Sequence, residues 1–503
     1  MRAPAIALAL ALACTGGAQA APSKIVVGSK AFPESWILGE AMTTLARGAS
    51  QGAVEHRSNL GGTEIVYQAL RSGAIDAYPE YTGTVAEVLL HRTDRPPLDS
   101  LRAGLAAEGI AIGPPLGFND GYGIAVSRAT ARRLGLAKLS DLAQHPEVRF
   151  GVTHEFLGRA DGWPGLAHTY GLAPKDVRGL QHELAWDALA KGAIDATDVY
   201  TTDAQIAALD LVLLDDDRAF FPRYDAVILY RADLAQRAPA VVTAWERLAG
   251  RIDEARMTTA NRQVALEKRP FAEAADSLLA SAGVSAGATS AAPAGGGAWA
   301  RIALRTAEHL KLVAWGLLFS ILVGLPLGVL ATRSRMLARL ALGAASLVQT
   351  VPSLALLAFL IPLVGIGTGP TLIALFVYGL LPIVRNTYVG LTTLPRPLVE
   401  AAEAMGLSPR ARLLKVALPL ASPTILAGIQ TSAVITVGTA TIAALIGAGG
   451  LGEPILSGIQ LRDSGLIAQG AIPAALLALA VSWAFDGLGR VVVPKGLRLP
   501  PAQ

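Results

Sequence analysis

Two tyrosines occupy matching positions in an internal repeat. Residues 69–77 read ALRSGAIDA and residues 188–196 read ALAKGAIDA, and a tyrosine follows each repeat glycine by eight residues, as Tyr81 and as Tyr200. Tyrosine ring faces carry the diffuse negative charge that recognises a quaternary ammonium group, which cannot donate a hydrogen bond. Two similar lobes that each present one tyrosine would therefore form a cleft suited to such a cation. Turns between helices and strands often look alike in α/β proteins, so the repeat alone also fits a coincidence of turn sequence.

A second candidate motif lies between two apolar stretches of the C-terminal part. Residues 400–406 read EAAEAMG and residues 416–419 read VALP, with a basic stretch between them. This pattern is typical of a helix, a glycine turn and a second helix, with Glu400 and Arg410 available to a partner protein. The alternative reading is an ordinary amphipathic loop.

The elements that must position the two tyrosines are α/β layers. Between residues 24 and 280, short β-rich runs such as residues 24–27 and 226–229 alternate with helical stretches such as residues 101–108 and 130–134. Strands that alternate with helices predict sheets covered by helices. The repeat predicts two such units, one for each tyrosine.

The composition predicts a membrane protein. The 503 residues are 52% hydrophobic and only 16% charged, and the mean hydropathy is +0.44. Residues 301–503 hold 15 Lys and Arg against 6 Asp and Glu, whereas residues 1–300 hold 28 against 33. Nucleic-acid binding needs a basic face with stacking aromatics, but here the aromatics concentrate in the acidic part. We therefore expect contact with membrane lipid and no nucleic-acid partner.

The apolar stretches predict five membrane spans. They lie near residues 312–331, 342–364, 370–388, 420–445 and 466–485. Clusters of arginine and lysine follow the first, third and fifth spans, and the positive-inside rule places these clusters in the cytoplasm. A sixth span hidden within residues 416–452 stays open.

The N-terminus reads as an export signal, because a basic start and an apolar run precede a small-residue cleavage site at residues 18–20. An uncharged Gly/Ala/Ser tract near the middle of the chain is typical of a flexible linker. The predicted divisions are a signal peptide at residues 1–20, a solute-binding domain at 21–280, the linker at 281–297 and a transmembrane domain at 298–503.

The membrane half resembles a known family. The segments that carry the likeness are EAAEAMG at 400–406, ALP at 417–419, QTVPSLAL at 349–356, LPIVRNTY at 381–388 and GGLG at 449–452. They are similar to the glycine betaine/choline (osmoprotectant) permeases of ABC importers. The resemblance implies an all-α polytopic domain that works as a permease dimer, either a homodimer or a paired permease, with two ATPase subunits. It also implies that the loop docking on the ATPase contains Glu400, Ala401, Ala402, Gly406, Leu418 and Pro419.

The N-terminal half carries a second resemblance. Its segments are GSK at 28–30, LGGT at 60–63, YPEYTGT at 78–84, GFNDGY at 117–122, EFLGR at 155–159 and FPRY at 221–224. They are similar to glycine betaine/choline-binding proteins, which implies a two-lobed α/β periplasmic-binding-protein fold of type II. The resemblance implies an aromatic cage of Tyr81, Tyr122, Tyr200 and Tyr224 with the main-chain carbonyl of Asp120. It further implies that a ligand carboxylate is held by Lys30, Thr84 and Arg159, with Glu155 orienting Arg159.

Together the two halves predict the substrate-binding and permease subunit of an ABC importer in the plasma (inner) membrane. The binding domain is expected outside the cytoplasm and the C-terminus inside it. Glycine betaine is the favoured ligand because Lys30 and Arg159 both suit a carboxylate, which choline lacks. Choline, carnitine and ergothioneine remain alternatives within this class. A membrane osmolyte receptor that does not transport is the alternative from another class.

The sequence predicts no catalytic site. Residues 283–287 match a hydrolase nucleophile elbow, but they fall in the predicted linker. The seven histidines show no paired metal spacing, and no phosphate-binding loop ending in Gly-Lys-Ser/Thr occurs. We therefore expect no metal and no cofactor, and we expect ATP hydrolysis in a separate chain.

Overall fold

The computed structural model describes residues 24–50, 52–285, 298–461 and 463–494. The predicted signal peptide lies outside the described residues, and so does most of the predicted linker, from residue 286 to residue 297.

Ten strands form the two sheets of the N-terminal half. In chain order they are β1 (Ile25–Gly28), β2 (Val54–Arg57), β3 (Ala77–Tyr81), β4 (Ile110–Ile112), β5 (Tyr122–Ser127), β6 (Arg149–Thr153), β7 (Asp176–Leu180), β8 (Ala196–Tyr200), β9 (Leu211–Leu213) and β10 (Ala226–Arg231). The first sheet has the order β2-β1-β3-β10-β4 and the second has the order β7-β6-β8-β5-β9. The chain crosses between the sheets twice, after β4 and after β9. The expected two-lobed α/β architecture is therefore confirmed.

Helices cover both sheets. The α-helices of this half are Pro33–Ala49, Thr63–Arg71, Thr82–Thr84, Leu98–Ala106, Arg128–Leu134, His154–Gly158, Trp163–Tyr170, His182–Ala190, Ala204–Ala208, Leu234–Arg237, Pro239–Glu246, Glu254–Ala265 and Phe271–Ser281. A π-helical turn, Val85–Leu89, and a 3-10 helix, Leu139–Gln144, complete the set. The first α-helix, Pro33–Ala49, buries most of its side chains and begins at the cleft between the lobes.

The membrane half is helical. Its helices are Ala298–Ala331, Arg335–Thr350, Ser353–Val364, Thr368–Thr392, Arg396–Ala404, Pro409–Arg412, Leu418–Ala440, Gly452–Gln460 and Ser464–Val492, with a π-helical turn at Leu413–Ala417 and a 3-10 helix at Ile442–Ile446. Four helical segments of the described residues are long and apolar enough to cross a membrane, and a bent pair gives a fifth when its two helices are counted as one span. About five spans were expected, and this is confirmed.

The second predicted span is not one straight helix. Arg335–Thr350 and Ser353–Val364 meet at an angle of 97°. Pro352 lacks a backbone N–H and disfavours helical backbone in the residue before it. Val351 accordingly adopts an extended conformation, with φ −72° and ψ 125°. The sequence predicted a membrane span near residues 342–364, and the structure divides this stretch into two helices at Pro352.

The first lobe packs against the membrane half. One buried apolar cluster contains Leu60 of the first lobe together with Leu357, Ile361 and Ile446 of the membrane helices. A second contact is polar, because Lys268 Nζ donates to the carbonyl of Leu461. The two halves therefore meet on the face of the first lobe that carries Leu60 and near the mouth of the cleft.

Candidate functional site

The two repeat tyrosines end equivalent strands. Gly73 and Gly192 have φ of +76° and +66°, which a residue with a side chain rarely adopts. They turn the chain from a helix into β3 and β8, whose last residues are Tyr81 and Tyr200. The repeat is therefore structural, and it delivers one tyrosine from each lobe to the cleft.

Three of the four predicted cage tyrosines form one cluster. Tyr122 begins β5 and pairs in register with Tyr200 at the end of β8, and their ring centroids are 5.2 Å apart. The Tyr224 ring lies 5.5 Å from that of Tyr122 at 86°. Burial raises the pKa of all three phenols above the usual value, so the rings are neutral. Together they form a largely buried cluster of neutral rings, of which Tyr200 lines the cavity at the cleft.

Tyr81 joins this cluster through a residue that the sequence did not single out. The Phe32 ring stacks on Tyr81 at 6.3 Å between centroids and on Tyr200 at 5.7 Å. Phe32 follows β1 in the first lobe, so its ring connects the tyrosines of both lobes. The hydroxyl of Tyr81 donates to Glu34 Oε1 at 2.6 Å.

Lys30 is buried and paired. Its Nζ lies 2.5 Å from Glu80 Oε1, and the Glu80 side chain is fully buried. The same Nζ lies 4.9 Å from the centroid of the Tyr81 ring and 5.4 Å from that of Phe32. The first lobe therefore places its own cation over two aromatic faces and neutralises it with a carboxylate.

Arg159 is also neutralised. Its Nε and Nη2 donate to the two carboxylate oxygens of Asp161 at 2.7 and 2.5 Å, while the predicted partner Glu155 is 3.3 Å from Nη1. Tyr224 donates to Asp161 as well, at 2.6 Å. Burial alone would lower the pKa of Arg159, but the bonds to Asp161 raise it above the usual value. The guanidinium lies 5.5 Å from the centroid of the Tyr122 ring.

Asp120 and Thr84, the remaining predicted site residues, are both buried. The backbone N–H of Asp120 donates to the carbonyl of Tyr224 at 3.1 Å, which fixes the main chain beside the tyrosine cluster. Its side chain faces Thr202, with 2.7 Å between Oδ1 and Oγ1. Burial raises the pKa of Asp120 well above the usual value, and the charge of Glu34 adds to this.

A cavity of about 220 Å³ opens beside these groups. The N-terminal half lines this cavity with Phe32, Glu34, Asp120 and Tyr200, and the membrane half lines it with Leu461. The cleft therefore contains a cavity that opens toward the membrane half.

The predicted ATPase-docking loop lies elsewhere. Glu400 and Ala401 are exposed on the helix Arg396–Ala404, and Ala402 is buried beneath them. Gly406 has φ +76° and ends that helix. Leu418 and Pro419 begin the long helix Leu418–Ala440. The expected helix, glycine turn and second helix are present.

The family models match both halves. Residues 23–281 match the substrate binding domain of ABC-type glycine betaine transport systems, and residues 324–497 match the inner membrane component of binding-protein-dependent transport systems. The chain therefore belongs to the family of osmoprotectant ABC importers and carries the family's substrate-binding and permease domains in one polypeptide. The periplasmic-binding-protein fold and the permease architecture expected from the sequence are confirmed.

Curated relatives match the membrane half. The choline transport system permease protein OpuBB of Bacillus subtilis is 40% identical over 194 residues, which are 39% of this chain and 89% of that protein. The osmoprotectant import permease protein OsmW of Salmonella typhimurium is 45% identical over 202 residues, 39% of this chain and 94% of that protein. A solved structure described as a glycine betaine/carnitine/choline ABC transporter is 27% identical, covers 51% of this chain and 97% of its own, and has a TM-score of 0.45.

The sequence reading missed the buried partners of the site. Glu80 and Asp161 neutralise the two predicted cations, and Glu34 and Thr202 join the lobes. Glu80 stands within the quoted YPEYTGT segment and Asp161 stands two residues after Arg159. A search for a counter-charge to each buried cation would have found both.

Proposed function

We propose that this chain takes up glycine betaine, and that its exported receptor domain closes on the ligand before delivering it to its own permease domain. The supporting observation is the cluster of Tyr122, Tyr200 and Tyr224 beside the guanidinium of Arg159. A trimethylammonium group needs several ring faces, each contributing about 0.5–2 kcal/mol when desolvated. A carboxylate at the other end of the ligand needs a charged donor close by, such as the Arg159 fork.

Choline is the second candidate, and a specific observation favours it. Glu80 already neutralises Lys30, and Asp161 already neutralises Arg159. A ligand without a carboxylate would leave both ion pairs intact. Glycine betaine must instead share the guanidinium with Asp161. The two ligands therefore differ in whether they depend on this ion pair.

The test is calorimetric titration of the full-length chain in lipid nanodiscs with glycine betaine and with choline. The informative variant is Arg159→Met combined with Asp161→Asn, which removes both charges without leaving a buried carboxylate unpaired. We expect the double variant to bind glycine betaine about 30-fold or more weakly, from a lost charge-assisted bond of about 2 kcal/mol. Choline binding should change much less. Tight choline binding with no loss of glycine betaine affinity would reject the carboxylate clamp.

The same titration carries a matched control for folding. Tyr170 donates to Asp216 in the second lobe and lies outside the cage cluster. Tyr170→Phe should therefore leave both affinities unchanged. If the wild-type chain binds neither ligand while its unfolding transition is intact, the proposed substrate class is wrong.

We further propose the assembly that the sequence resemblance implies. Two copies of the permease domain, or one copy and a paired permease, would bind two ATPase subunits through the loop at Glu400, with the receptor domain outside the cytoplasm and the C-terminus inside. The proposed divisions remain residues 1–20, 21–280, 281–297 and 298–503. Native mass spectrometry of the purified importer should show two permease domains and two ATPase chains. A complex with a single permease domain would reject this arrangement.

A further inference from the structure

Glu34 connects the two lobes at the cleft. It lies in the first turn of the helix Pro33–Ala49 of the first lobe and is buried. Its carboxylate accepts from Tyr81 Oη at 2.6 Å and from Asn261 Nδ2 at 2.8 Å, both in the first lobe. It also lies 2.6 Å from Thr202 Oγ1, which belongs to the second lobe. Separating the lobes would break the contact between Glu34 and Thr202.

The hydroxyl of Thr202 lies between two carboxyl groups. Its Oγ1 is 2.6 Å from Glu34 Oε2 and 2.7 Å from Asp120 Oδ1. A threonine hydroxyl has one hydrogen to donate, and an ionised carboxylate can only accept. Both short contacts are hydrogen bonds only if one carboxyl group carries a proton and donates it to Thr202 Oγ1. The arrangement therefore requires one more proton than the two acids carry when both are ionised.

The hydrogen-bond partners assign this proton to Asp120. Glu34 accepts from Tyr81, Thr202 and Asn261, which stabilises its ionised form. Asp120 has only Thr202 as a side-chain partner among the described residues, with Oγ1 at 2.7 Å and the backbone N at 3.4 Å. The proton chain then runs from Asp120 to Thr202 and from Thr202 to Glu34.

We propose that closing the lobes binds one proton on Asp120, and that Glu34 is the positioning residue that couples this closure to Tyr81 of the cage. The inference rests on the proposed receptor function, because it concerns the same cleft. The proton comes from the buffer when Asp120 and Glu34 approach across Thr202. It returns to the buffer when the lobes separate.

The surrounding charges favour uptake of a proton. Asp203 follows Thr202, and its charge raises the pKa of both acids, while its carboxylate lies 3.1 Å from His182 Nε2. Lys268, which lines the same cavity, donates to the Leu461 carbonyl of the membrane half. Burial raises the pKa of Glu34 as well as that of Asp120. The cavity at the cleft gives the buffer a route to this cluster.

The sign of the pH effect follows from the direction of these shifts. A carboxyl group whose pKa is higher in the closed form than in the open form favours closure when it is protonated. When the pH is above the usual carboxyl pKa, Asp120 is ionised in the open form, and closure therefore takes up a proton. Solute affinity should then fall by up to about tenfold for each unit of pH between the usual carboxyl range and the raised pKa of Asp120, and become constant above that pKa.

The experiment measures proton uptake directly. The full-length chain in nanodiscs is titrated with glycine betaine and with choline at neutral pH, in buffers of different ionisation enthalpy. We expect uptake of about one proton per bound solute. Asp120→Asn, whose amide donates to Thr202 without a titratable proton, should bring the uptake to zero.

Asp198→Asn is the matched control. Asp198 is also fully buried with a raised pKa, but its partners are the backbone N and Oγ1 of Thr153, within the second lobe. Its environment does not depend on closure, so the variant should keep the wild-type uptake. Solute binding without proton uptake, or equal uptake in Asp120→Asn, would overturn the proposal.

A second readout does not need a solute. Cysteines placed at the exposed residues Ala107 and Lys191, one in each lobe, carry spin labels for a distance measurement between pH 5 and pH 9. The closed population should fall as the pH rises in the otherwise wild-type chain and stay constant in Asp120→Asn. A distance distribution that does not change between pH 5 and pH 9 would overturn the proposal even if neither solute bound. Absence of binding by itself would count against the proposed substrate instead.

Discussion

The two lobes share one turn but surround its tyrosine differently. In the first lobe, Asp76 Oδ2 accepts the backbone N–H of Val26 at 2.8 Å, and in the second lobe Asp195 Oδ2 accepts that of Arg149 at 3.1 Å. Each aspartate thus ties the repeat turn to the neighbouring strand. In each lobe the strand that follows the turn then ends at the tyrosine, so that Tyr81 and Tyr200 occupy equivalent positions.

Beyond the turn the lobes differ. Tyr81 is held through its hydroxyl by Glu34, and its ring faces Lys30. Tyr200 lies instead among rings, with Tyr122 at 5.2 Å and Phe32 at 5.7 Å. A common scaffold therefore serves two tasks. In the proposed function the second lobe provides the ring faces for the cation, and in the proposed closure Glu34 of the first lobe provides the contact with Thr202.

The largest expected effect tests whether the ring faces of the second lobe dominate binding. Tyr122→Ala should weaken glycine betaine binding about 30-fold, because one desolvated ring face contributes about 2 kcal/mol to a bound cation. Tyr122→Phe keeps the face and should remain within about threefold of the wild-type affinity. Calorimetry on the full-length chain measures both. Equal losses in the two variants would show that the hydroxyl, and not the ring, carries the effect.

A smaller effect is expected for the ring that joins the lobes. Phe32→Ala removes the stacking on both Tyr81 and Tyr200. An aromatic pair contributes about 1 kcal/mol beyond its burial, so the affinity should fall about fivefold. Phe32→Leu, which keeps apolar volume without a ring, separates stacking from packing. Full affinity in the leucine variant would assign the role of Phe32 to packing.

The fold was largely predictable because its signals are local. The glycines of the repeat, the β-rich runs and the apolar spans each depend on residues close in sequence. The bend at Val351 was missed because a proline inside an apolar run can either start a new helix or kink a continuous one. Composition does not distinguish these cases.

The site was predictable only in its conspicuous members. The tyrosines, Lys30 and Arg159 stand in recognisable segments, whereas their partners depend on contacts distant in sequence. Glu34 and Thr202 are 168 residues apart, and Lys30 and Glu80 are 50 apart. No local pattern signals such pairs. All the predicted ligand-binding roles stay predictions: those of Tyr81, Tyr122, Tyr200, Tyr224 and Asp120 at the cation, and those of Lys30, Thr84, Arg159 and Glu155 at the carboxylate.

The smallest expected effect tests whether the two turns are energetically equivalent. Arg149 donates to Asp195 at 2.8 Å, and Arg237 donates to Asp76 at 2.5 Å. Both arginines are partly exposed, so solvent screens each ion pair and its contribution to stability should be small. Asp76→Asn and Asp195→Asn should each make hydrogen exchange about twofold faster, in β1 and in β6 respectively. Faster hydrogen exchange in only one of the two strands would show that the two turns are not energetically equivalent.

The pH dependence of the same exchange has a defined sign for Asp195. The hydrogen bonds from Arg149 lower its pKa below the usual value of 3.8. A lowered carboxyl pKa stabilises the folded state above the unfolded value, and this stabilisation is lost as the pH falls through the lowered pKa. After correction for intrinsic exchange rates, wild type and Asp195→Asn should therefore differ at pH 7 and converge in strong acid. A difference that persists there would mean that Asp195 acts through hydrogen bonds that do not need its charge.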